Sequence, residues 1–240
     1  MNTIKINEKK GTLFVAHRGL SGIETQNTAA AFIAAANRSY FGIECDVHKT
    51  ADGAYVVIHD EETKAVCKNN IPVETSPLSD LRALRLNSAY GKCERNDLCI
   101  PTLAEYITIC HHYEKTAVLE LKNGFSFDEV KEIMQIIEQN GRLDNVIIIS
   151  FVFENLLHVR AINPHQRVQY LMGEFTPDLI GLLVKHRMDL DIFRKAIDKE
   201  KIDACHENGI LVNVWTVDDP KNAQDLIDMG VDFITTNILE

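Results

Sequence analysis

The sequence lacks an excess of basic residues. Its 240 residues include 25 Lys and Arg against 35 Asp and Glu, which gives a formal net charge of −10. Phosphate backbones attract basic surfaces, so this balance argues against broad nucleic-acid binding. Small anionic substrates stay possible, because a few Arg or Lys side chains or a metal ion can reverse the sign of the field within one cleft.

The sequence also lacks long apolar runs. Its most hydrophobic stretch, Val146 to Phe153, is far shorter than the ~20 residues that cross a bilayer. The stretch from Met1 to Gly11 is polar and contains lysine, unlike a secretory signal. We therefore expect a soluble, cytoplasmic protein with no stable membrane insertion.

No two cysteines have the C-x-x-C spacing. The six cysteines are scattered along the chain as Cys45, Cys67, Cys93, Cys99, Cys110 and Cys205. Disulfide frameworks and structural zinc sites usually need tighter spacing, so reduced thiols are expected.

Apolar extended segments alternate with helical patterns along most of the chain. The extended segments are Leu13–His17, Gly42–Thr50, Tyr55–His59, Ala117–Lys122, Val146–Phe151, Val168–Met172, Leu190–Phe193, Ile210–Val217 and Asp232–Thr236. Several are apolar on both faces, which is typical of a parallel sheet covered by helices. Such β-α repeats form a doubly wound sheet or a closed barrel. The sequence has no Gly-x-Gly-x-x-Gly or Walker motif, which disfavours a nucleotide-binding open sheet. About eight strands in a chain of this length favour a (β/α)8 barrel.

Two stretches depart from a regular barrel. The turn at 51–54 is too short for a helical crossover, so Gly42–Thr50 and Tyr55–His59 are predicted to pair as a hairpin. The segment 60–101 is long, polar and interrupted by prolines. We interpret it as an insertion or lid after the third strand of a single domain spanning 1–240. It contains one short predicted helix, Ser79–Leu86, with Ser79 as its N-cap.

Polar side chains follow the first four predicted strands. Catalytic groups of a (β/α)8 barrel lie where strands end, so we expect these side chains to converge at one mouth of the barrel. The pairs in Glu44-x-Asp46 and Glu120-x-Lys122 each share one face of a strand. The candidates are His17, Arg18, Glu44, Asp46, His59, Glu120 and Lys122.

The three carboxylates among these candidates predict a metal site. Glu44, Asp46 and Glu120 supply the oxygen ligands that hard divalent cations such as Mg²⁺ or Ca²⁺ prefer. Without a cation, three close carboxylates would repel one another and some would protonate.

The remaining candidates are suited to a phosphodiester. Arg18 and Lys122 can donate to anionic oxygen, Arg18 in a bidentate fork. His17 and His59 titrate near neutrality and can act as a general acid and base. Together with a metal ion, these groups are the equipment for metal-assisted cleavage of a phosphodiester.

The order of these motifs resembles the glycerophosphodiester phosphodiesterase family, and the resemblance covers nearly the whole chain. The N-terminal motifs are specific. The matching motifs are His17-Arg18-Gly19, Asn27-Thr28, Glu44-x-Asp46, His59-Asp60, Ile100-Pro101-Thr102-Leu103, Leu119-Glu120-Leu121-Lys122, Ser150-Phe151, Trp215-Thr216-Val217 and Gly230-Val231-Asp232.

The resemblance implies a distorted (β/α)8 barrel that hydrolyses small-molecule glycerophosphodiesters, such as glycerophosphocholine or glycerophosphoethanolamine, to glycerol 3-phosphate and an alcohol. In that family the residues matching the three carboxylates hold Mg²⁺ or Ca²⁺, with Mn²⁺ a further option. The residues matching His17 and His59 act as acid and base, those matching Arg18 and Lys122 bind phosphate, and the aromatic matching Trp215 lies against the glycerol.

The sequence departs from the family at three places near these motifs. Gln26 stands where the family usually has Glu, so its contact with Arg18 or His17 should be weaker unless Glu24 substitutes for it. An Arg-Thr pair that often follows His-Asp is absent, with Lys64-Ala65 nearby. The closing Thr-Asp becomes Thr236-Asn237.

Two alternatives keep the barrel but change its role. A lysophospholipase D-like phosphodiesterase would need an apolar groove or a loop that contacts membranes, and the polar segment 60–101 gives little sign of one. A catalytically silent barrel that binds phosphodiesters or polyols has only Gln26 in its favour. The sequence leaves the oligomeric state open.

Overall fold

A closed parallel barrel forms the centre of the protein, in a computed structural model that describes residues 2–91 and 93–240. The strands are β1 Leu13–Ala16, β2 Gly42–Lys49, β3 Tyr55–Val57, β4 Thr116–Leu121, β5 Val146–Ser150, β6 Arg167–Met172, β7 Asp189–Phe193, β8 Val212–Trp215 and β9 Phe233–Thr236. All except β3 are parallel neighbours in the order β1-β9-β8-β7-β6-β5-β4-β2, and β1 also pairs with β2. Val15 of β1 pairs with Gly42 of β2 on one side and with Thr235 of β9 on the other, so the eight strands form a closed ring. The predicted (β/α)8 barrel is confirmed.

Helices cover the outside of this ring, and one short helix packs instead into the segment that follows β3. They are α1 Ala29–Ala36, α2 Leu78–Ala83, α3 Leu103–His112, α4 Phe127–Asn140, α5 Phe153–Ile162, α6 Leu179–His186, α7 Lys199–Glu207 and α8 Pro220–Met229, with short 3-10 turns at Thr63–Ala65 and Leu143–Asn145. Helices α3 and α4 begin with capping boxes, in which a hydroxyl and the Glu three residues later satisfy the free N–H groups of the first turn.

The alternation of side chains along each strand separates two cores. In β2, Ile43, Cys45 and Val47 point outward into the large apolar layer beneath the helices. Their neighbours Glu44 and Asp46 therefore point into the barrel. The interior holds a smaller apolar cluster, consisting of Val15, Val118, Ile147, Ile149, Leu171 and Phe233. The polar ends of β2 and β4 lie beyond that cluster, towards the carboxyl ends of the strands.

The hairpin predicted beside the barrel is present. Strand β3 pairs antiparallel with β2, with Val47 opposite Val57. The chain from β3 to α3 carries a small apolar core of its own. This core consists of Val56, Ile58, Val66, Cys67, Val73, Leu81, Leu86, Leu98 and Ile100.

The helix predicted within this segment is shorter than expected, and its N-cap prediction was wrong. Helix α2 begins at Leu78 and ends at Ala83, so Ser79 lies inside the first turn. The N–H of Leu78 is satisfied by Asp52 Oδ1 at 3.0 Å, from the turn of the β2–β3 hairpin. A distant carboxylate therefore replaces the local hydroxyl cap. None of the described helices is long and apolar enough to cross a membrane.

Candidate active site

All seven polar candidates lie at the carboxyl-terminal mouth of the barrel. His17 and Arg18 follow β1, Glu44 and Asp46 lie on β2, and His59 follows β3. Glu120 lies on β4 and Lys122 follows it. Trp215 ends β8 on the same rim, where its ring packs against Phe193 and Phe151 at centroid distances of 5.4 and 5.7 Å.

Three buried carboxylates form the centre of the mouth. Glu44, Asp46 and Glu120 are only 3%, 1% and 7% exposed. Each offers one ligand oxygen, and these oxygens all lie within 4.8 Å of one another. Among residues 2–91 and 93–240, this is the one group of three or more acidic, His or Cys side chains with metal-ligand geometry.

The electrostatics of these carboxylates favour a bound cation. Burial and the nearby Asp46 raise the pKa of Glu44 well above its ordinary value. The same two causes raise the pKa of Glu120 to about 7. Burial alone would also raise the pKa of Asp46, but Arg18 and Lys122 outweigh it and hold that pKa below the ordinary value. Three carboxylates at this spacing resist full ionisation until a positive charge joins them.

The two cationic side chains do not complete the charge balance. Lys122 Nζ lies 3.0 Å from Glu120 Oε1 and 3.5 Å from Asp46 Oδ1, and Arg18 Nε lies 3.5 Å from Asp46 Oδ2. Two positive charges thus face three carboxylates. In the described structure Asp46 Oδ1 is buried and accepts no hydrogen bond. A buried oxygen that accepts no hydrogen bond, within an all-oxygen set, fits a hard divalent cation such as Mg²⁺ or Ca²⁺.

The loop after β1 holds two of these carboxylates in place. The backbone N–H of Arg18 donates to Glu44 Oε2 at 2.7 Å, and Asn27 Nδ2 donates to Asp46 Oδ2 at 2.7 Å. Arg18 and Asn27 both have φ of +54°, a conformation that non-glycine residues adopt at a cost. The hydrogen bonds to the carboxylates offset that cost.

Gln26 contacts Arg18 despite lacking the charge of glutamate. Arg18 Nη1 donates to Gln26 Oε1 at 2.5 Å. Glu24 does not substitute for it, because Glu24 is paired with Arg95 of the insertion at 2.7 Å. The guanidinium of Arg18 is therefore positioned by a neutral amide and by Asp46.

His17 is held by an amide that is itself held by a carboxylate. Asn237 Oδ1 lies 2.8 Å from His17 Nδ1 and accepts from Ser21 Oγ at 2.6 Å. Asn237 Nδ2 and N donate to the two oxygens of Asp218 at 2.6 and 2.8 Å. A carboxylate only accepts, so the amide must turn its NH₂ towards Asp218 and its oxygen towards His17. The Nδ1 of His17 must then carry a proton.

The environment of His17 keeps its ring neutral. Burial, followed by the charge of Arg18, lowers the pKa of His17 to about 4. With the single ring proton on Nδ1, Nε2 carries a free lone pair.

His59 has a carboxylate where His17 has an amide. Its Nδ1 lies 2.6 Å from Asp60 Oδ1, and Nε2 makes no hydrogen bond within residues 2–91 and 93–240. Burial lowers the pKa of His59, and the nearby carboxylates of Asp46 and Asp60 oppose that effect. His48, which is buried on β2, fixes the backbone here, because its Nε2 lies 3.2 Å from the carbonyl oxygen of His59.

Sequence reasoning missed four residues that support the site: Ser21, His48, Asp218 and Asn237. His48 could have been found, since it continues the i, i+2 alternation that begins with Glu44 and Asp46. In the sequence, Asn237 stands out only because it replaces the Asp of the closing Thr-Asp pair. Its contact with His17 depends on the pairing of β1 with β9, which no local pattern indicates.

A cavity of about 1240 Å³ opens beside His17 and Arg18. It lies between the loop after β1 and the segment that follows β3. Lys64, Lys68 and Asn87 line its far side. The mouth of the barrel thus has a cavity with cationic side chains over β1 and β9 and an aromatic cluster over β5, β7 and β8.

Comparison with known proteins places this geometry in a family. Residues 17–240 match the glycerophosphoryl diester phosphodiesterase family. A glycerophosphodiester phosphodiesterase of Caldanaerobacter subterraneus subsp. tengcongensis is 32% identical, with 94% of each chain covered. A putative glycerophosphodiester phosphodiesterase of Bacillus subtilis is 30% identical, with 93% of each chain covered.

Solved structures share the fold. A phosphodiesterase of Oleispira antarctica, solved in complex with the product sn-glycerol-3-phosphate, has a TM-score of 0.88 at 24% identity and covers 94% of this chain and 92% of its own. A glycerophosphodiester phosphodiesterase of Parabacteroides distasonis has a TM-score of 0.81 at 28% identity, covering 95% and 93%. The match to the family extends over nearly the whole barrel and includes every polar candidate at its mouth. The chain therefore belongs to the glycerophosphoryl diester phosphodiesterase family.

Proposed function

We propose that this protein is a metal-dependent glycerophosphodiester phosphodiesterase. The substrates are glycerophosphodiesters, the class that includes glycerophosphocholine and glycerophosphoethanolamine, and the products are glycerol 3-phosphate and an alcohol. The observation that carries the proposal is the buried set of Glu44, Asp46 and Glu120 with two histidines beside it, each with Nδ1 held and Nε2 free. Family membership supports the same chemistry.

Glu44, Asp46 and Glu120 are the residues that would hold the divalent cation, with Mg²⁺ or Ca²⁺ the best matches to an all-oxygen set and Mn²⁺ a further option. When bound, the cation would act as a Lewis acid towards a phosphate oxygen, and its positive charge would balance the negative charge of the carboxylates. Asn27 and the backbone N–H of Arg18 keep two of the three carboxylates oriented.

Arg18 and Lys122 bind the phosphate in this proposal. Both cations lie at the edge of the carboxylate set, each within 3.5 Å of Asp46. Their remaining donors can face the non-bridging oxygens of a diester. Lys122 also has a raised pKa, because Asp46 and Glu120 outweigh the effect of its burial, so its ammonium stays charged.

His17 and His59 move the protons. The nucleophile, which is water or the substrate's own 2-hydroxyl group, gives its proton to one histidine as its oxygen bonds to phosphorus. The bond from phosphorus to the leaving oxygen breaks, and the other histidine, which enters the step with Nε2 protonated, donates that proton to the leaving oxygen. Attack by the 2-hydroxyl group forms a cyclic phosphate, which water then opens to glycerol 3-phosphate in a second step. The support of Nδ1 by Asn237 and by Asp60 aims each Nε2 at the cleft.

Trp215 provides an apolar wall for the glycerol end of the substrate. Its contacts with Phe151 and Phe193 fix the ring on the rim of the barrel. The segment 60–101, which we interpret as an insertion within one domain, lines the cavity beside His17 through Lys64 and Asn87.

An assay for release of glycerol 3-phosphate tests the proposal. Glycerophosphocholine and glycerophosphoethanolamine are incubated with the protein, with and without Mg²⁺, Mn²⁺ and Ca²⁺. We expect metal-dependent turnover that His17→Ala and His59→Ala each abolish, while both variants still bind metal. Full turnover by either variant contradicts the roles of the histidines.

The same assay separates the alternatives. Cleavage of lysophospholipids without cleavage of glycerophosphodiesters favours a lysophospholipase D-like enzyme. Binding of diesters without product under any metal favours a silent barrel.

A further inference from the structure

We propose that the cavity beside His17 is the subsite for the departing alcohol, and that it selects polyol head groups, above all phosphorylated ones, over quaternary ammonium head groups. The head-group subsite is defined by Arg18, Lys64, Lys68, Asn87 and Ser88. This inference rests on the proposed function and narrows its substrate class.

The position of the cavity assigns it to one arm of the diester. A diester carries two alcohol arms on one phosphate, and the proposed function places the glycerol arm against Trp215. The aromatic cluster of Trp215, Phe151 and Phe193 lies over the ends of β5, β7 and β8. The cavity borders the loops after β1, β3, β8 and β9, and it includes His17 and Arg18 but none of the three aromatic rings. The second arm of a substrate held at Arg18 therefore enters the cavity.

The charges that the cavity offers are positive. Lys64 and Lys68 are exposed on its wall, and within residues 2–91 and 93–240 neither has an ion-pair partner. Of the two carboxylates that line it among the described residues, one has an ion-pair partner and the other is held by a neutral amide, so they are outnumbered by Arg18, Lys64 and Lys68. Glu24 pairs with Arg95 at 2.7 Å, and Asp218 accepts from Asn237 at 2.6 Å. A phosphorylated head group gains attraction here, whereas a fixed positive charge meets two lysines.

The cavity also lacks the side chains that recognise quaternary ammonium groups. Such groups are bound by cages of Trp, Tyr and Phe faces through cation–π attraction. Over the part of the chain that the structure describes, no aromatic residue other than His17 lines the cavity. Its lining instead includes the amide of Asn87 and the hydroxyl of Ser88, groups that can hydrogen-bond to the hydroxyls of a polyol. The volume of about 1240 Å³ accommodates a six-carbon ring.

Three substrates that differ only in the head group test this selectivity. They are glycerophosphocholine, glycerophosphoinositol and glycerophosphoinositol 4-phosphate, compared under one metal by kcat/KM. We expect kcat/KM to rise in that order, with about tenfold or more between the first and the last, because two nearby charges contribute on the order of one tenfold step. Equal or faster turnover of glycerophosphocholine overturns the proposal while leaving the proposed function intact. If none of the three substrates is hydrolysed, both this proposal and the proposed function are contradicted.

Charge variants assign the selectivity to this cavity. In the double variant Lys64→Gln/Lys68→Gln, the ratio between the phosphorylated and the choline substrate should fall to within about threefold, mainly through KM. Lys64→Glu/Lys68→Glu should reverse the order. The matched control is Lys131→Gln/Lys185→Gln, two exposed lysines on α4 and α6 outside the cavity, which should keep the wild-type ratio. A ratio that survives the charge reversal refutes the role of Lys64 and Lys68.

Discussion

The hydrogen-bond chain from Asp218 through Asn237 to His17 makes the sharpest prediction. Asn237→Ala removes the acceptor that holds the Nδ1–H of His17 at 2.8 Å. Leaving a buried donor without its partner costs about 1–3 kcal/mol. If that cost falls on the productive orientation of the ring, kcat drops roughly 5- to 150-fold. KM should change little, because Asn237 is not among the phosphate-binding groups.

Two measurements test this reasoning. The first is kcat at saturating metal for Asn237→Ala, with Asn222→Ala as a control, because Asn222 is an exposed residue of α8. The second is the ¹⁵N spectrum of the His17 ring, in which a protonated and an unprotonated nitrogen give distinct signals. We expect Nδ1 to be protonated in the wild type and the two tautomers to mix in Asn237→Ala. Wild-type kcat together with an unchanged spectrum would refute the reasoning.

A reciprocal exchange separates positioning from mere folding. Asn237→Asp alone sets a carboxylate against Asp218 and also raises the pKa of His17 above about 4, which moves the acid limb of the kcat profile to higher pH. Asn237→Asp/Asp218→Asn restores a carboxylate–amide pair with its members exchanged and still offers His17 an acceptor. We expect the double variant to recover most of the lost kcat, and a purely additive double-mutant cycle would contradict this coupling.

Three further predictions follow from the barrel mouth and its surroundings. Mg²⁺ should raise the Tm of the wild type, and Glu44→Gln should shrink the shift, since only the folded protein gathers the three carboxylates; an equal shift in both would contradict the metal site. Asp191 is buried, and burial followed by the charge of Glu120 raises its pKa well above the ordinary value. The folded protein therefore binds the Asp191 proton more tightly than the unfolded chain does, and the stability of the fold decreases as pH rises above about 4. Asp191→Asn should therefore raise Tm at pH 8, by about 2–4 °C per kcal/mol, but not at pH 4, as calorimetry would show. Arg95→Ala frees Glu24 and should cost about 0.2–1 kcal/mol in urea unfolding; an unchanged midpoint would show that the pair contributes nothing.

The sequence was sufficient to predict the groups that converge on the barrel mouth. Glu44 and Asp46 alternate on one strand, and Glu120 and Lys122 alternate on the next parallel one, so strand geometry alone brings them to the same edge. The β2–β3 hairpin followed from a turn too short for a helix. These predictions use short-range spacing and one topological rule.

The supports of the site could not be predicted in the same way. His17 and Asn237 are 220 positions apart, and their contact exists only because β1 and β9 pair. The cap of α2 failed for a related reason, since Asp52 reaches Leu78 from another element and outcompetes the local Ser79. Contacts made by tertiary closure leave no periodic signal in a single sequence.

The pairing of β1 with β9, which closes the barrel, links enzymatic activity to the structural integrity of the ring. Every proposed metal ligand and both histidines lie in the first half of the chain, before position 123. A half-barrel ending there would hold the full set of reactive groups, yet it would lack the amide that orients His17. We therefore expect full turnover to require the pairing of β1 with β9, and a separation of these two strands should lower kcat, as is expected for Asn237→Ala, before the barrel as a whole unfolds.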